Sequence, residues 1–178
     1  MSNAVLVVDM VRGFCEPGYP LYVGEPIRQI IPRIQRLLDA EVKKGSQVFF
    51  ICDSHDPDDQ EFRMFPPHCV AGTEQAEVIP ELRRYPGQVI RKKRFSGFYG
   101  TDLAARLARL KPEKLVVVGD CTNICVFFTV ADARNRDYQV ELPADCVATF
   151  DPEAHKFALD QMEKVLGARV LPSFAGVG

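Results

Sequence analysis

Two cysteines, Cys121 and Cys125, stand in the stretch GDCTNICV, between an apolar run and a helical pattern. With Thr122 as the helix cap, Cys125 falls in the first turn. Amides there lack intrahelical partners and the dipole favours negative charge. A thiol in that place tends toward thiolate, and the same amides can hold an oxyanion. A base and a cation nearby complete an activated nucleophile. Asp9 is the candidate base, and Lys92 or Lys93 the candidate cation. On an extended strand only one of two neighbouring lysines faces the thiol. Cys121 is a separate case. Its spacing to Cys125 is one residue longer than a Cys-x-x-Cys redox pair, and no second ligand pair completes a zinc site with them. The group of interest at Cys121 is its backbone amide.

A second constellation follows Asp53. Asp53, His55, Glu61 and His68 offer mixed oxygen and nitrogen donors, a set that suits a divalent transition metal such as Zn, Mn or Fe. They lie in segment 53–87, which is rich in Pro, Asp and His and carries DSHDPDDQEFRMFPPHCVAGTEQ. A connection this long inside a compact chain is usually functional. His155, the remaining histidine, falls on the last helical pattern and reads as structural or solvent-facing.

These residues need a scaffold that gathers them. Short β-branched runs at 4–9, 47–52, 88–92, 114–119, 138–142 and 168–171 read as strands. The first, second and fourth are almost wholly apolar, as in central strands covered on both faces. Between them fall helical patterns. Ile27, Ile30, Ile31, Ile34, Leu37 and Leu38 form one stripe, with its regular part expected from about Pro32. Segments 101–110, 122–135 and 152–167 follow, the last stopping at Gly167. Strand–helix alternation implies a parallel sheet with right-handed crossovers. Ligands of such sheets bind at the carboxyl ends of the strands. Asp9, Asp53, His55, the lysine pair and Gly119 all stand at those ends, so a carboxylate, a lysine and a cysteine converge on one edge.

The bulk composition narrows the classes further. With 178 residues, 47% hydrophobic and 26% charged, the chain reads as one globular domain over 1–178. A net charge of −2 gives no general pull toward nucleic acid or anionic lipid. No apolar run is long enough to span a membrane. The start MSNAVLVVDM lacks the basic residues and length of a signal peptide, so a cytoplasmic protein with six reduced cysteines is expected.

Taken together, VVDMVRGF, DSH, FPPHCVAGT, KKRFSGFYGTDL and GDCTNICVFFTVADA resemble the isochorismatase-like cysteine hydrolases, and within them the bacterial nicotinamidases. The resemblance runs from residue 4 to about 167, and FDPEAHKFAL is similar to the last helix of that branch. It implies a three-layer, Rossmann-like α/β fold with a six-stranded parallel sheet in the order 3-2-1-4-5-6. It implies a triad of Asp9, Lys92 and Cys125, with Lys92 chosen because it lies four residues before Ser96. It implies a cis peptide between Asp120 and Cys121, and an oxyanion hole made by the amides of Cys121 and Cys125. The metal ligands carry over onto Asp53, His55, Glu61 and His68, with the ion binding the pyridine nitrogen of the substrate. Phe14, Phe65 and Phe95 match the aromatic pocket. The implied activity is hydrolysis of nicotinamide to nicotinate and ammonia through a cysteine thioester, in NAD salvage and pyridine nucleotide biosynthesis, by a homo-oligomer. A relative acting on a carbamoyl or ureido compound is the alternative. Arg12, Asn123 and Phe95 depart from the usual pattern without removing a triad member or metal ligand.

Overall fold

The computed structural model describes residues 2–174. In chain order it contains β1 (Ala4–Val8), the single helical turn α1 (Arg12–Cys15), α2 (Glu25–Lys43), β2 (Gln47–Asp53), β3 (Gln88–Lys92) and α3 (Leu103–Leu110). It continues with β4 (Leu115–Asp120), α4 (Phe127–Arg134), β5 (Val140–Pro143), β6 (Val147–Ala148), α5 (Pro152–Lys164) and β7 (Arg169–Leu171). The strands pair in parallel in the order β3-β2-β1-β4-β5-β7, with β6 off this path on β4. The expected 3-2-1-4-5-6 order is therefore found, β7 being the sixth expected strand. The count is corrected from six to seven. β5 pairs with β4 only at Leu115 and Val116, and β6 takes over at Gly119 and Asp120. Two residues are too few to show a period in the sequence.

Every residue of β1 and β4 is buried. Alternate side chains serve opposite faces. Val5, Val7, Val116 and Val118 pack with the Ile27, Ile31, Ile34 and Leu38 stripe of α2. Leu6, Val8 and Val117 pack with Leu107 of α3, Val130 of α4 and Met162 of α5. The result is three layers. No helix among the described residues is long and apolar enough to cross a membrane.

Helix boundaries differ from expectation at α2 and α5, and at the start of α4, which falls at Phe127. α2 begins at Glu25, with Pro26 in its first turn, and runs through Pro32. An interior proline costs about 3 kcal/mol, but burying each Ile or Leu of the stripe contributes about 1.5–3 kcal/mol, and six such residues outweigh it. α5 ends at Lys164, short of Gly167. Gly167 adopts a positive φ of 68° as the chain turns, and the Ala168 amide donates back to Met162.

One glycine decides where the site forms. Gly119 has φ 117°, and a Cβ there would collide with the Val8 carbonyl. Its bare backbone lets the ends of β1 and β4 lie side by side at the switch point of the sheet.

Candidate active site

Asp9 leaves β1 with φ 50°, in the left-handed region that Asp tolerates better than most residues. Its amide donates to Ile51 O at 2.7 Å. Its Oδ1 accepts from the Asp53 amide at 2.9 Å, which fixes the carboxylate. Lys92 ends β3 and projects inward. Its Nζ lies 2.8 Å from Asp9 Oδ2, hydrogen-bonds Asp53 Oδ1, and lies 3.5 Å from Cys125 Sγ. Lys93 points away and pairs with Asp56 at the surface. The alternation of the strand thus settles which lysine enters the site. Donor atoms of Asp9, Asp53 and Cys125 all lie within 4.8 Å of one another. Asp9, Lys92 and Cys125 are buried. Asp9 Oδ2 is close to Lys92 but makes no well-aligned hydrogen bond, so it keeps a lone pair for a proton.

The charges order themselves accordingly. Burial and the Asp53 charge push the Asp9 carboxyl up to about 6, against the opposing pull of Lys92. Burial alone would raise Asp53 too, but the Lys92 charge and the facing His55 and His68 rings hold it low. Burial works against the Lys92 ammonium, yet Asp53 and Asp9 keep it firmly protonated.

Cys125 departs from the expectation of a thiolate. Burial pushes its thiol well above the ordinary value, and Lys92 offsets this only in part. The local backbone also differs. Residues Thr122–Val126 form a widened π turn, in which the Val126 amide donates to Cys121 O, and α4 starts only at Phe127. Cys121, not Thr122, precedes this turn. The resting side chain is a thiol whose proton must be taken by a base. The Asp120–Cys121 peptide is cis, as the resemblance implied.

The second corner shares Asp53. Its Oδ2 faces His55 Nε2 at 3.4 Å and His68 Nε2 at 3.7 Å. Glu61 Oε1 lies 4.0 Å from His55 Nε2 and 3.8 Å from His68 Nε2. Ligands about 2.1 Å from a tetrahedral ion stand about 3.4 Å apart, so these spacings suit a metal. His55 Nε2 is buried without a hydrogen-bond partner. The other ring nitrogens are already engaged, His55 Nδ1 with Asp59 Oδ2 at 3.1 Å and His68 Nδ1 with Pro66 O at 2.9 Å. That arrangement aims both Nε2 atoms at the same point. Burial and the Asp53 charge push the Glu61 carboxyl up, a strain that a cation would relieve. Donor atoms of Asp53, His55 and His68 lie within 4.8 Å of one another, with Glu61 beside the two rings, and this set fits a divalent metal.

Both corners open into one pocket of about 290 Å³. Phe14, Phe65 and Phe95 line it as expected, and Phe14 and Phe65 also flank the His68 ring. Cys121 and Cys125 reach it from the nucleophile turn. Arg12 is not part of it, being tied to Glu16 and Glu74 outside. His155 is structural, its Nδ1 lying 2.9 Å from Oγ1 of the buried Thr122.

Several side chains of the site had no assigned part in the sequence, among them Asp59, Phe62, Phe150 and the Asp120 carboxyl. Asp59 orients His55 and is itself held by Arg94 at 2.9 Å. Phe62 packs against both histidine rings. Phe150 and Asp120 line the pocket. Only Asp59 left a readable signal, since it follows His55 by four residues in a chain segment already marked as a ligand loop.

Comparison with known proteins agrees with this geometry. The isochorismatase domain profile matches residues 3–173. A solved nicotinamidase of Bacillus subtilis superposes with a TM-score of 0.89 at 36% identity, covering 96% of this chain and 99% of that one. A pyrazinamidase of Pyrococcus horikoshii, solved in complex with zinc, gives 0.87 at 32% identity over 96% and 99% of the two chains. An N-carbamoylsarcosine amidase from Thermoplasma acidophilum gives 0.88 at 33% identity over 100% of both.

Proposed function

The chain belongs to the isochorismatase family, and from that premise we propose that it is a nicotinamidase, hydrolysing nicotinamide to nicotinate and ammonia. The observation that carries this reading is the double use of Asp53. One of its oxygens holds Lys92 beside the thiol, and the other faces His55 and His68. A single pocket therefore offers a nucleophile and a metal point, walled by phenylalanines. That combination suits a flat heteroaromatic ring with a ring nitrogen at one end and a carboxamide at the other. Asp53, His55, Glu61 and His68 would hold the ion. When bound, a divalent transition metal (Zn, Mn or Fe) supplies a Lewis-acid anchor for the ring nitrogen.

The chain's own residues do the rest. Asp9 Oδ2 takes the Cys125 proton as Sγ attacks the carboxamide carbon. The amides of Cys121 and Cys125 hold the oxyanion. Lys92 stabilises the charged Asp9–Cys125 pair and keeps Asp9 oriented. Asp9 then returns the proton to the departing ammonia, leaving a thioester. Water deprotonated by Asp9 hydrolyses it and frees nicotinate. All six cysteines are unpaired, which suits the reducing cytoplasm and a role in NAD salvage that we assign to the protein.

The test is ammonia release from nicotinamide, pyrazinamide and a ureido compound, with and without chelator. We expect nicotinamide to be turned over best, chelation to slow it, and added zinc to restore it. His68→Ala should bind less metal by direct analysis and raise KM more than it lowers kcat. The second reading, a carbamoyl or ureido amidohydrolase, is favoured by the similarity to the Thermoplasma amidase. Ammonia from the ureido compound alone, indifferent to chelator, would select it.

The pH profile tests the base. Asp9 must be unprotonated to accept the thiol proton, and its carboxyl is raised to about 6. Activity should therefore be full above that value, and kcat/KM should fall as pH drops through about 6. A profile measured at saturating metal that stays flat to about pH 4.5, near the unperturbed carboxyl range, excludes Asp9 as this base.

A further inference from the structure

One buried carboxyl has no part in the steps above. Asp120 closes β4, is 1% exposed, and lines the pocket beside Cys121 and Cys125. Its Oδ2 meets the Cys15 thiol at 3.9 Å, a long contact with a weak donor. The buried cation nearby, Lys92, is committed to Asp9 and Asp53. An apolar side chain would fill this place at lower cost to stability, because a buried carboxyl needs strong partners. A polar group kept in a pocket wall under those conditions points to a ligand that partners it.

We propose that Asp120 is a specificity-determining residue whose carboxyl accepts a hydrogen bond from the –NH2 of a primary carboxamide, and so selects primary amides over esters of the same acyl group. This rests on the amidohydrolase reading of the site. Asp120 is joined directly to Cys121, whose amide is the assigned oxyanion donor, and both residues line the pocket with Cys125. A cavity of about 290 Å³ keeps a ring-sized ligand within reach of both. Burial, with the charges of Asp9 and Asp53, pushes the Asp120 carboxyl well above its ordinary value. That shift favours the protonated acid beside Asp9 and Asp53, and the carboxyl keeps an acceptor oxygen in either form. A primary amide offers two N–H donors, whereas an ester offers none. A site built to receive a donor discriminates against an analogue lacking it.

The experiment compares nicotinamide with methyl nicotinate on the metal-loaded full-length enzyme, as wild type, Asp120→Val and Asp120→Asn. The ratio of kcat/KM for amide over ester should fall about tenfold in Asp120→Val, the effect of one neutral hydrogen bond. Asp120→Asn keeps an uncharged acceptor oxygen of the same size and should hold the ratio within about threefold. Asp120→Val should also melt at a higher temperature than wild type, which loss of a structural contact would not produce. An unchanged ratio in Asp120→Val overturns the proposal, as does an equal fall in Asp120→Asn. A wild type that hydrolyses neither compound overturns the nicotinamidase reading, and this proposal with it, so the two failures are told apart.

Discussion

Replacing Cys125 with alanine should lower nicotinamide turnover by on the order of 10⁵-fold while leaving the protein folded and able to bind nicotinamide. The size of the effect follows from the site's division of labour. In the proposed mechanism every chemical step passes through Sγ, and catalytic groups that act as a unit lose nearly everything when the nucleophile goes. The fold should tolerate the change because Cys125 contributes a small side chain to a large apolar cluster under α3, α4 and α5. Asp53, His55, Glu61 and His68 are untouched, so metal content by direct analysis should equal that of the wild type. Calorimetry should still detect nicotinamide binding. Residual turnover within about tenfold of wild type, in a preparation checked by mass for wild-type contamination, would remove the thiol from the mechanism.

Lys92→Met should damage both stability and catalysis. Lys92 is 1% exposed and stands among Asp9, Asp53 and Cys125. Methionine matches its length and apolar stem but leaves two buried carboxylates facing each other. Removing one partner of a buried ion pair costs about 3–5 kcal/mol. For a chain of 178 residues that is about 10 °C in melting temperature. The carboxylates respond by taking up protons, since Lys92 lowers both Asp9 and Asp53. With Lys92 gone, Asp9 titrates at higher pH and is protonated where the wild type works. Turnover should fall by on the order of 10⁴-fold, and the acid limb of any remaining activity should move to higher pH. The loss of stability should be larger at high pH, where both carboxylates are forced to ionise without their cation, and smaller at low pH, where both are neutral. A variant with wild-type melting behaviour and an unmoved acid limb would show that Lys92 does not hold the pair.

Much of this was legible in the sequence because central parallel strands are covered on both faces. The runs AVLVV and LVVV have no other stable place, and the polar residues that follow them must fall on the carboxyl edge. That reading brought Asp9, the Lys92–Lys93 pair and Cys125 to one edge, and only the family resemblance, through the spacing to Ser96, chose Lys92. What stayed hidden depended on tertiary contact. β6 is two residues long and exists only because β4 outruns β5. The α2 stripe was strong enough to carry Pro32 inside a helix, against the local rule. The thiolate expected at Cys125 assumed an exposed first turn, whereas burial governs the group and a π turn replaces the helix start. Asp120 entered only through the implied cis peptide, and nothing local shows that its side chain faces Cys15 from 105 positions away. His155 reads as structural or solvent-facing, and its partner Thr122, 33 positions away, is visible only in the fold.

The proposed mechanism stands or falls on a covalent bond between the substrate acyl group and Cys125. Rapid acid quench of the wild-type enzyme in its first turnover with nicotinamide, followed by peptide mass mapping, tests it directly. A nicotinoyl adduct should appear on the peptide carrying Cys125, form with the release of ammonia, and decay with the release of nicotinate. Ammonia released in that turnover with Cys125 unmodified at every quench time, or with the acyl group on another residue, would contradict it.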